Sequence, residues 1–233
     1  MPNADHLEFL KTRFRVDVDD VDLDPDDSSG LLWSDDDILE YINVAHAEFI
    51  HDTLYRRGVI EVPVIAGDPV ATLPDNVIET RHAHATLVST GQEIREINYD
   101  TSHPVEDYGS TVNVNAFASD ESGPPVCYTL DYESNTIRLA PVPETDDLLR
   151  ISVYLEADEL CRWTDRLHLR RMRHVRMLLA GMKREAYLKQ DADVYDREQA
   201  GRWDAIFRRN VNQVYGEIKR RNEDVRPMRY GGL

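Results

Sequence analysis

Residues 124–160 alternate between apolar and polar positions with a period of two. Three runs, at residues 126–131, 137–139 and 149–156, show this alternation, which is typical of half-buried β-strands. The polar residues between the first two runs predict a chain reversal. Because proline cannot donate a hydrogen bond to a sheet, Pro141 should end the second strand. The pattern therefore predicts a hairpin followed by a returning strand.

Helical periodicity dominates the chain on both sides of this β unit. Ser34 is a good N-cap, and apolar residues recur at three- and four-residue steps from there to about Arg57. Gly58 should end that helix as its C-cap, and a short helix over residues 5–14 should precede it. Between Gly58 and the β unit, short β-like pieces are separated by prolines and glycines.

Two long helices are predicted after residue 160. The first begins at Thr164 and Asp165 and is broken at residues 191–193, and the second stops at Pro227. The expected fold class is therefore α+β, a bundle of long α-helices interrupted by a β-rich insertion. The expected parts are an acidic N-terminal segment (1–32), a helical body (33–58 and 161–224), the β-rich insertion (59–160) and a C-terminal tail (225–233).

Composition limits the class of protein. The chain has 233 residues, and 41% of them are hydrophobic, which is enough for a core without metal or disulfide staples. No apolar run reaches the roughly 20 residues of a membrane helix, and the N-terminus lacks the apolar region of a secretory signal. We therefore expect a soluble protein with no membrane contact.

The net charge of −17 has an uneven origin, because aspartate is abundant and lysine is scarce. The lysines are Lys11, Lys183, Lys189 and Lys219. This bias resembles that of proteins from salt-in halophiles, in which carboxylates hold water and cations at high ionic strength. An acidic protein from a mesophile is the alternative interpretation.

The C-terminal part is basic against this background. Residues 161–233 hold 18 Lys and Arg but only 10 Asp and Glu, out of 27 and 44 in the whole chain. Arginines are concentrated at the start of this part, where Arg166, Arg170 and Arg173 are predicted to share one face of a helix. That face is a solvated surface, a protein interface or a surface that meets nucleic acid.

The aspartate-rich stretch near the N-terminus does not form a calcium-binding loop. If a loop of the EF-hand type begins at Asp20, Pro25 stands where glycine is required and Leu31 where the bidentate glutamate is required. Residues 35–37 are three aspartates in a row, and we assign them to capping of the helix that follows Ser34. No set of acid, base and nucleophile can be named, so we expect no enzyme.

Histidine and cysteine give no metal site either. His82 and His84 would share one face of a strand, but no third ligand of suitable spacing lies nearby. The spacing of Cys127 and Cys161 suggests neither zinc ligation nor a redox pair, and we expect no native disulfide. No cofactor is expected.

Three segments combine into an arrangement with a family resemblance: WSDDDILEYINVAHAEF, CYTLDYESNTIRLAPVPETDDLLRISVYLEADEL and WDAIFRRN. They contain a tryptophan at a helix start, a strand–turn–strand that ends in L-x-P-x-P, and a tryptophan in a later helix. These positions are Trp33, Leu139, Pro141, Pro143 and Trp203. The arrangement resembles the head-to-tail connector proteins of tailed viruses, and more narrowly the adaptor beneath the portal, over about residues 33–222.

The resemblance implies a structural virion protein. It implies a homo-oligomeric ring, commonly twelvefold, that docks on the portal protein, extends the DNA channel and carries tail or neck proteins. Its place would be the neck of the virion, after assembly in the host cytoplasm, and the composition points to a virus of a halophilic archaeon. Portal docking is assigned to five residues of the tail, Arg226, Pro227, Met228, Arg229 and Tyr230, with Tyr230 as anchor.

Two further surfaces are assigned with the same hypothesis. Arg166, Arg170 and Arg173 become candidates for ring contacts or for facing the DNA channel. The exposed side of the β insertion is a candidate surface for neighbouring proteins, with Arg138, Arg150, Tyr154 and Glu156. The alternative function is a DNA-binding regulatory protein that uses the basic C-terminal helices.

Overall fold

A computed structural model describes residues 4–18, 20, 32–97, 122–131, 134–189 and 195–222, to which all structural statements refer. The chain divides into two compact units. The helical unit comprises Met1–Arg56 and Glu156–Leu233, and the sheet unit comprises Arg57–Leu155. None of the described helices is both long and apolar enough to cross a membrane.

The described residues form four α-helices and one seven-stranded sheet. The helices are α1 (Ala4–Asp17), α2 (Asp35–Thr53), α3 (Met172–Leu188) and α4 (Arg197–Asn222). The strands are β1 (Arg57–Val64), β2 (Val70–Thr72), β3 (Val77–Leu87), β4 (Glu93–Glu96), β5 (Cys127–Asp131), β6 (Thr136–Ala140) and β7 (Asp147–Leu155).

The sheet unit is built from strands in the order β1-β7-β3-β4-β5-β6-β2. The described pairs of named strands are antiparallel except β4 with β5. Because β1 and β2, at the two ends of this order, contact each other, the sheet is nearly closed and barrel-like. Its interior is filled by side chains from most of the strands, among them Val62, Ala71, Ile94, Tyr128, Ile137 and Ile151.

The predicted fold class was wrong. A bundle of long helices with a β insertion was expected, whereas the described chain has four helices and a nearly closed sheet with a core of its own. Alternation identifies a strand but not its partners, and sheet closure depends on the partners. The β5–β6 hairpin is confirmed, with Asn135 at φ 51° in its turn. However, β7 lies between β1 and β3 and does not return to that hairpin.

Helix α2 begins as predicted and ends differently. The Ser34 side chain accepts a hydrogen bond from the Asp37 N–H, and the Asp37 carboxylate accepts one from the Ser34 N–H, which completes a capping box. The predicted C-cap was wrong, because Leu54 takes the left-handed conformation at φ 52° and Gly58 lies in β1. The predicted apolar stripe is buried, including Ile38, Ile42, Ala45 and Phe49.

Helix α3 begins at Met172, later than the predicted start at Thr164. The Asp165 carboxylate accepts hydrogen bonds from the backbone N–H groups of Cys161 and Arg162, which closes a turn instead of starting a helix. Leu167 is nevertheless buried in the helical core. The apolar periodicity therefore marked buried positions correctly but overestimated the helical length.

Two adjacent cations of α3 contact the other three helices of this unit. Lys183 Nζ is 2.7 Å from an Asp17 carboxylate oxygen on α1 and 4.2 Å from the centre of the Trp203 ring on α4. Arg184 donates to Glu48 on α2 at 2.6 Å and to Asp204 on α4 at 3.0 Å. Burial opposes the charge of Arg184, but its carboxylate partners outweigh burial and raise its pKa above the usual value.

Gly181 sets how closely the helices pack around these cations. A Cβ atom built at Gly181 would lie 2.8 Å from the Ala45 Cβ on α2 and 3.1 Å from the Phe207 ring on α4. Contacts below 3.0 Å force a shift of neighbouring atoms, and here the neighbours are themselves buried. Helices α2, α3 and α4 can therefore approach only because this position lacks a side chain.

Substituting Gly181 by alanine should destabilise the helical unit. The added methyl group overpacks the contact with Ala45 and Phe207, so we expect the free energy of unfolding to fall by about 1–3 kcal/mol. The control is G201A in α4, where an added Cβ meets nothing within 4 Å; it should stabilise by about 0.5–1 kcal/mol through helix propensity. Denaturant unfolding measures both, and equal effects of the two substitutions would contradict the packing account.

Candidate functional site

The structure separates the predicted residues of the β insertion. Arg138 lies on β6 and is exposed, and Arg150 lies on β7 and is exposed. These strands are not neighbours in the sheet, so the two arginines do not share one surface patch through strand pairing. Arg150 is joined to Glu61 on β1 by an ion pair of 2.7 Å. The predicted portal-docking residues 226–230 lie outside the described residues.

Two other residues predicted on the exposed side of the insertion lie elsewhere. Tyr154 is only 5% exposed, and the Arg57 guanidinium lies 6.0 Å from its ring centre. Its predicted exposure was wrong, because the alternation of β7 ends in two consecutive buried residues. Glu156 follows β7 in the helical unit, where its carboxylate is 2.8 Å from His51 Nδ1 and its carbonyl accepts from Arg56.

The predicted arginine face of a helix was also wrong. Arg166 and Arg170 precede α3, and only Arg173 lies in its first turn. All three side chains are exposed. Arg173 makes a bidentate ion pair with Glu217 on α4, with both distances 2.7 Å.

A different grouping of arginines surrounds the start of α3. The arginine cluster consists of Arg170, Arg171, Arg173 and Arg221, and all four are exposed. Arg170 and Arg171 directly precede α3, Arg173 pairs with Glu217 on α4, and Arg221 lies one helical turn after Glu217, so all four lie near the start of α3. Burial lowers the pKa of His174, and the nearby charges of Arg173, Arg171 and Arg221 lower it further. Sequence spacing could not identify Arg221 as a member of the cluster, because it is far from Arg173 in the chain and only the packing of α4 against α3 places it nearby.

The cluster lacks the usual compensating charges. Arg171 is the N-cap of α3, makes no capping hydrogen bond with its side chain, and the first turn of α3 contains no acidic residue. Positive side chains at a helix N-terminus are unfavourable, because the helix dipole is positive there. Among the described residues no carboxylate pairs with Arg170, Arg171 or Arg221, and only Glu217 neutralises the cluster, through Arg173.

A groove along one face of α2 is the second candidate surface. The α2 groove has a volume of about 590 Å³ and is bounded by α2 and the segment 157–161. Both hydrogen bonds between the Asn43 side chain and the Leu160 backbone, at 2.8 and 2.9 Å, fix that segment against the helix. Its lining residues on α2 are Asp36, Leu39, Glu40, Asn43, Val44 and Ala47.

The groove has an apolar floor and an acidic rim. Val44 is 39% exposed, and Leu39, Ala47 and Ala157 contribute further apolar surface. The acidic side chains on the rim include Asp36, Glu40 and Glu159. None of these three carboxylates has a hydrogen-bond or ion-pair partner among the described side chains.

The two aspartates that flank Asp36 on α2 pair with cations of the helical unit. Burial opposes ionisation of Asp35, but hydrogen bonds from Lys11 and Arg15 lower its pKa below the usual range. Burial likewise opposes ionisation of Asp37, but Lys189 and Ser34 lower its pKa. The capping role predicted for Asp37 is confirmed, whereas Asp35 is held mainly by cations from α1.

A histidine pair lies beneath the segment that closes the groove. His46 is fully buried and stacks on His168 with ring centres 5.7 Å apart. His168 Nε2 is 2.9 Å from Asp158, and a hydrogen bond from Arg56 lowers the pKa of Asp158. Burial, followed by the charges of His168 and Arg56, lowers the pKa of His46 to about 3.

The residues considered for metal or redox chemistry do not assemble into a site in the described part of the chain. No three His, Cys, Asp or Glu side chains there are arranged to hold a metal ion. His84 is half exposed and lies 3.9 Å from a Glu93 carboxylate oxygen. Both thiols are free, with Cys127 buried and Cys161 exposed in the α2 groove.

Comparison with known proteins gives one informative match. A protein-family model described as "SU10 adaptor protein" matches residues 7–231, which is nearly the whole chain. The search of curated proteins gives no match. The family match includes both compact units, the α2 groove and the arginine cluster.

Replacing His46 by glutamine should reduce the loss of stability in acid. Unfolded histidine binds a proton near pH 6.5, whereas folded His46 stays neutral until about pH 3, so stability falls as the pH drops below about 6.5. Between about pH 7.5 and about pH 5, wild type should lose about 2 kcal/mol more than H46Q. Glutamine can still accept the hydrogen bond that the His168 N–H donates to His46 Nε2.

Urea unfolding at both pH values measures this difference. The control is H84Q, which makes the same substitution at an exposed histidine of the sheet unit. Parallel pH curves for wild type and H46Q would show that His46 titrates normally in the folded protein.

Proposed function

Because the chain belongs to the SU10 adaptor protein family, we propose that it forms a ring beneath the portal of a tailed virus and links it to the tail. Family membership itself makes it a structural adaptor protein of the phage head–tail junction, associated with portal and tail proteins. The ring would extend the DNA channel and offer a platform to tail or neck proteins. The match over residues 7–231 is the observation that carries this proposal.

The arrangement of charge in the helical unit supports a ring. A ring needs heterologous contacts, in which one patch of a subunit meets a different patch of the next. The α2 groove and the arginine cluster are two such patches with opposite charge. A twelvefold homo-oligomer is the stoichiometry we propose.

Portal docking is proposed for the C-terminal tail. Arg226 and Arg229 would pair with portal carboxylates, Tyr230 would act as the apolar anchor, and Pro227 and Met228 would complete the contact. In the sheet unit, Arg138 and Arg150 remain candidates for contacts with neighbouring proteins.

The exposed arginines favour proximity to genomic DNA in the channel. Arg166 and Arg170 are exposed and have no ion-pair partner in the described structure, so they can approach phosphates. The same observation supports the second candidate function, a DNA-binding regulatory protein. The two functions differ in their main partner: a regulator should bind free duplex DNA tightly with a steep salt dependence, whereas an adaptor should bind portal.

A virus of a halophilic archaeon, assembling in the host cytoplasm, is the proposed source. Acidic surfaces with little lysine suit high ionic strength. Three of the four lysines make ion pairs in the helical unit, namely Lys11, Lys183 and Lys189. Lysine is therefore used here for specific contacts and contributes little to the general surface charge.

Removing the tail after Asp224 should abolish portal binding without unfolding the protein. The described core ends within α4, so the thermal midpoint should stay within a few degrees of wild type. Co-sedimentation with purified portal, and negative-stain images of the mixture, measure binding. Full-length protein should form rings coaxial with the portal.

A single substitution tests the anchor within the tail. Y230A should weaken portal binding by about 2 kcal/mol, roughly thirtyfold, as expected for a buried aromatic contact. Y215A on α4, which removes a partly exposed tyrosine of the described structure, is the matched control and should bind normally. Unchanged portal binding by the truncated chain would refute docking through residues 225–233.

A further inference from the structure

We propose that the α2 groove of one copy receives the arginine cluster of the next copy, and that this contact joins the subunits. The inference deepens the proposed ring and rests on it. The partner is a second copy of this chain, and the recognition chemistry is guanidinium groups on carboxylates above an apolar floor. Its support lies in three properties of the helical unit: an arginine cluster with little compensating negative charge, an acidic groove whose carboxylates have no described partner, and the distance from the cluster to the Asp36 end of that groove.

Among the described residues, only Glu217 pairs with the arginine cluster, so most of its positive charge is not offset there. The whole protein carries 44 Asp and Glu against 27 Lys and Arg, yet the first turn of α3 has no acidic residue. Arg170, Arg171 and Arg221 make no ion pair with a described carboxylate. Like charges gathered at the positive end of a helix dipole cost stability, so an anionic partner would relieve repulsion as it binds.

The α2 groove has the complementary composition. Asp36, Glu40 and Glu159 are carboxylates without described partners, while Val44 and Ala47 offer apolar surface between them. Arginine combines a long apolar stem with a planar charged head that pairs with carboxylates. A groove with an apolar floor and an acidic rim therefore suits arginine side chains better than a purely acidic or a purely apolar partner.

The acidic start of the groove, at Asp36 and Glu40, lies at the opposite end of α3 from the arginine cluster. The cluster surrounds the start of α3, whereas Lys189, directly after its end, contacts Asp37 beside the groove at 2.7 Å. Seventeen helical residues separate these points, a span of roughly 25 Å. This exceeds the Debye length of about 8 Å at physiological salt. The cluster of the same chain therefore does not neutralise Asp36 and Glu40, and the cluster of another copy can pair with them in a head-to-tail contact of the kind that closes rings.

Charge reversal of each surface tests the contact. D36R/E40R makes the groove basic, and R170E/R171E makes the cluster acidic. Each variant alone places like charges at every contact, so its self-association should weaken by roughly a hundredfold or more relative to wild type. In an equimolar mixture each variant carries the complement of the other, so alternating assemblies should return. Sedimentation velocity over a concentration series measures all three samples.

The control variant carries the same charge change as R170E/R171E, away from the contact. R202E/R209E reverses two exposed arginines of α4 and should assemble as wild type does. Recovery on mixing cannot arise from two misfolded proteins, so it separates loss of contact from loss of fold. Monomers in the mixture, with assembly intact in wild type, would overturn the proposal.

Cys161 provides a direct measure of whether the groove is occupied. It is the exposed thiol of the two in the chain and lines the groove, while Cys127 is buried. At assembling concentrations, Cys161 of wild type should react with a thiol reagent at least about tenfold more slowly than in either charge-reversed variant, because a partner covers it. Equal reaction rates would show an open groove and overturn the proposal.

The possible outcomes distinguish a failure of the proposed contact from a failure of the proposed ring. Assembly that neither reversal weakens would refute the contact and leave the ring standing, whereas wild type that stays monomeric at every concentration and also forms no ring on purified portal would refute both. Truncation after Asp224 identifies a competing occupant. If the truncated chain exposes Cys161 while its cluster is intact, the tail fills the groove and the arginine cluster does not.

Discussion

The packing of the helical unit depends on the two adjacent cations of α3, Lys183 and Arg184. A buried charge is tolerated only where carboxylates and hydrogen bonds replace water, so each cation requires its partners in place. Lys183 needs α1 and α4, and Arg184 needs α2 and α4. Because Gly181 permits the close approach that brings these partners together, sterics and electrostatics select the same helix arrangement.

This internal network also explains why some charges remain available at the surface. Asp35 and Asp37 are held by cations of the same chain, whereas Asp36 between them lines the α2 groove and has no partner among the described side chains. Arg173 is paired with Glu217, whereas Arg171 pairs with no described carboxylate. The fold thus pairs some charges within the helical unit and leaves opposite charges at separate places on its surface. Such separation is suited to heterologous association of an adaptor.

Local patterns predicted local structure well. The Ser34 capping box, the buried stripe of α2 and the β5–β6 hairpin follow from short-range hydrogen bonding and periodicity, and all were found. The start of α3 was misjudged, because Leu167 is buried from an irregular segment and so was assigned to the apolar face of the helix. Tyr154 was misjudged for a related reason, since burial at the end of β7 does not follow strict alternation.

The sequence by itself determined the strands within residues 124–160, the start of α2, the excess of acid and the basic C-terminal part, and its motifs already indicated an adaptor of tailed viruses. These properties depend on neighbouring residues or on composition. Only the tertiary structure decided that the sheet nearly closes, that Arg221 joins Arg171 beside α3, and that a groove forms along α2. Each of these requires residues far apart in the chain to meet, and periodicity contains no information on partners across such distances.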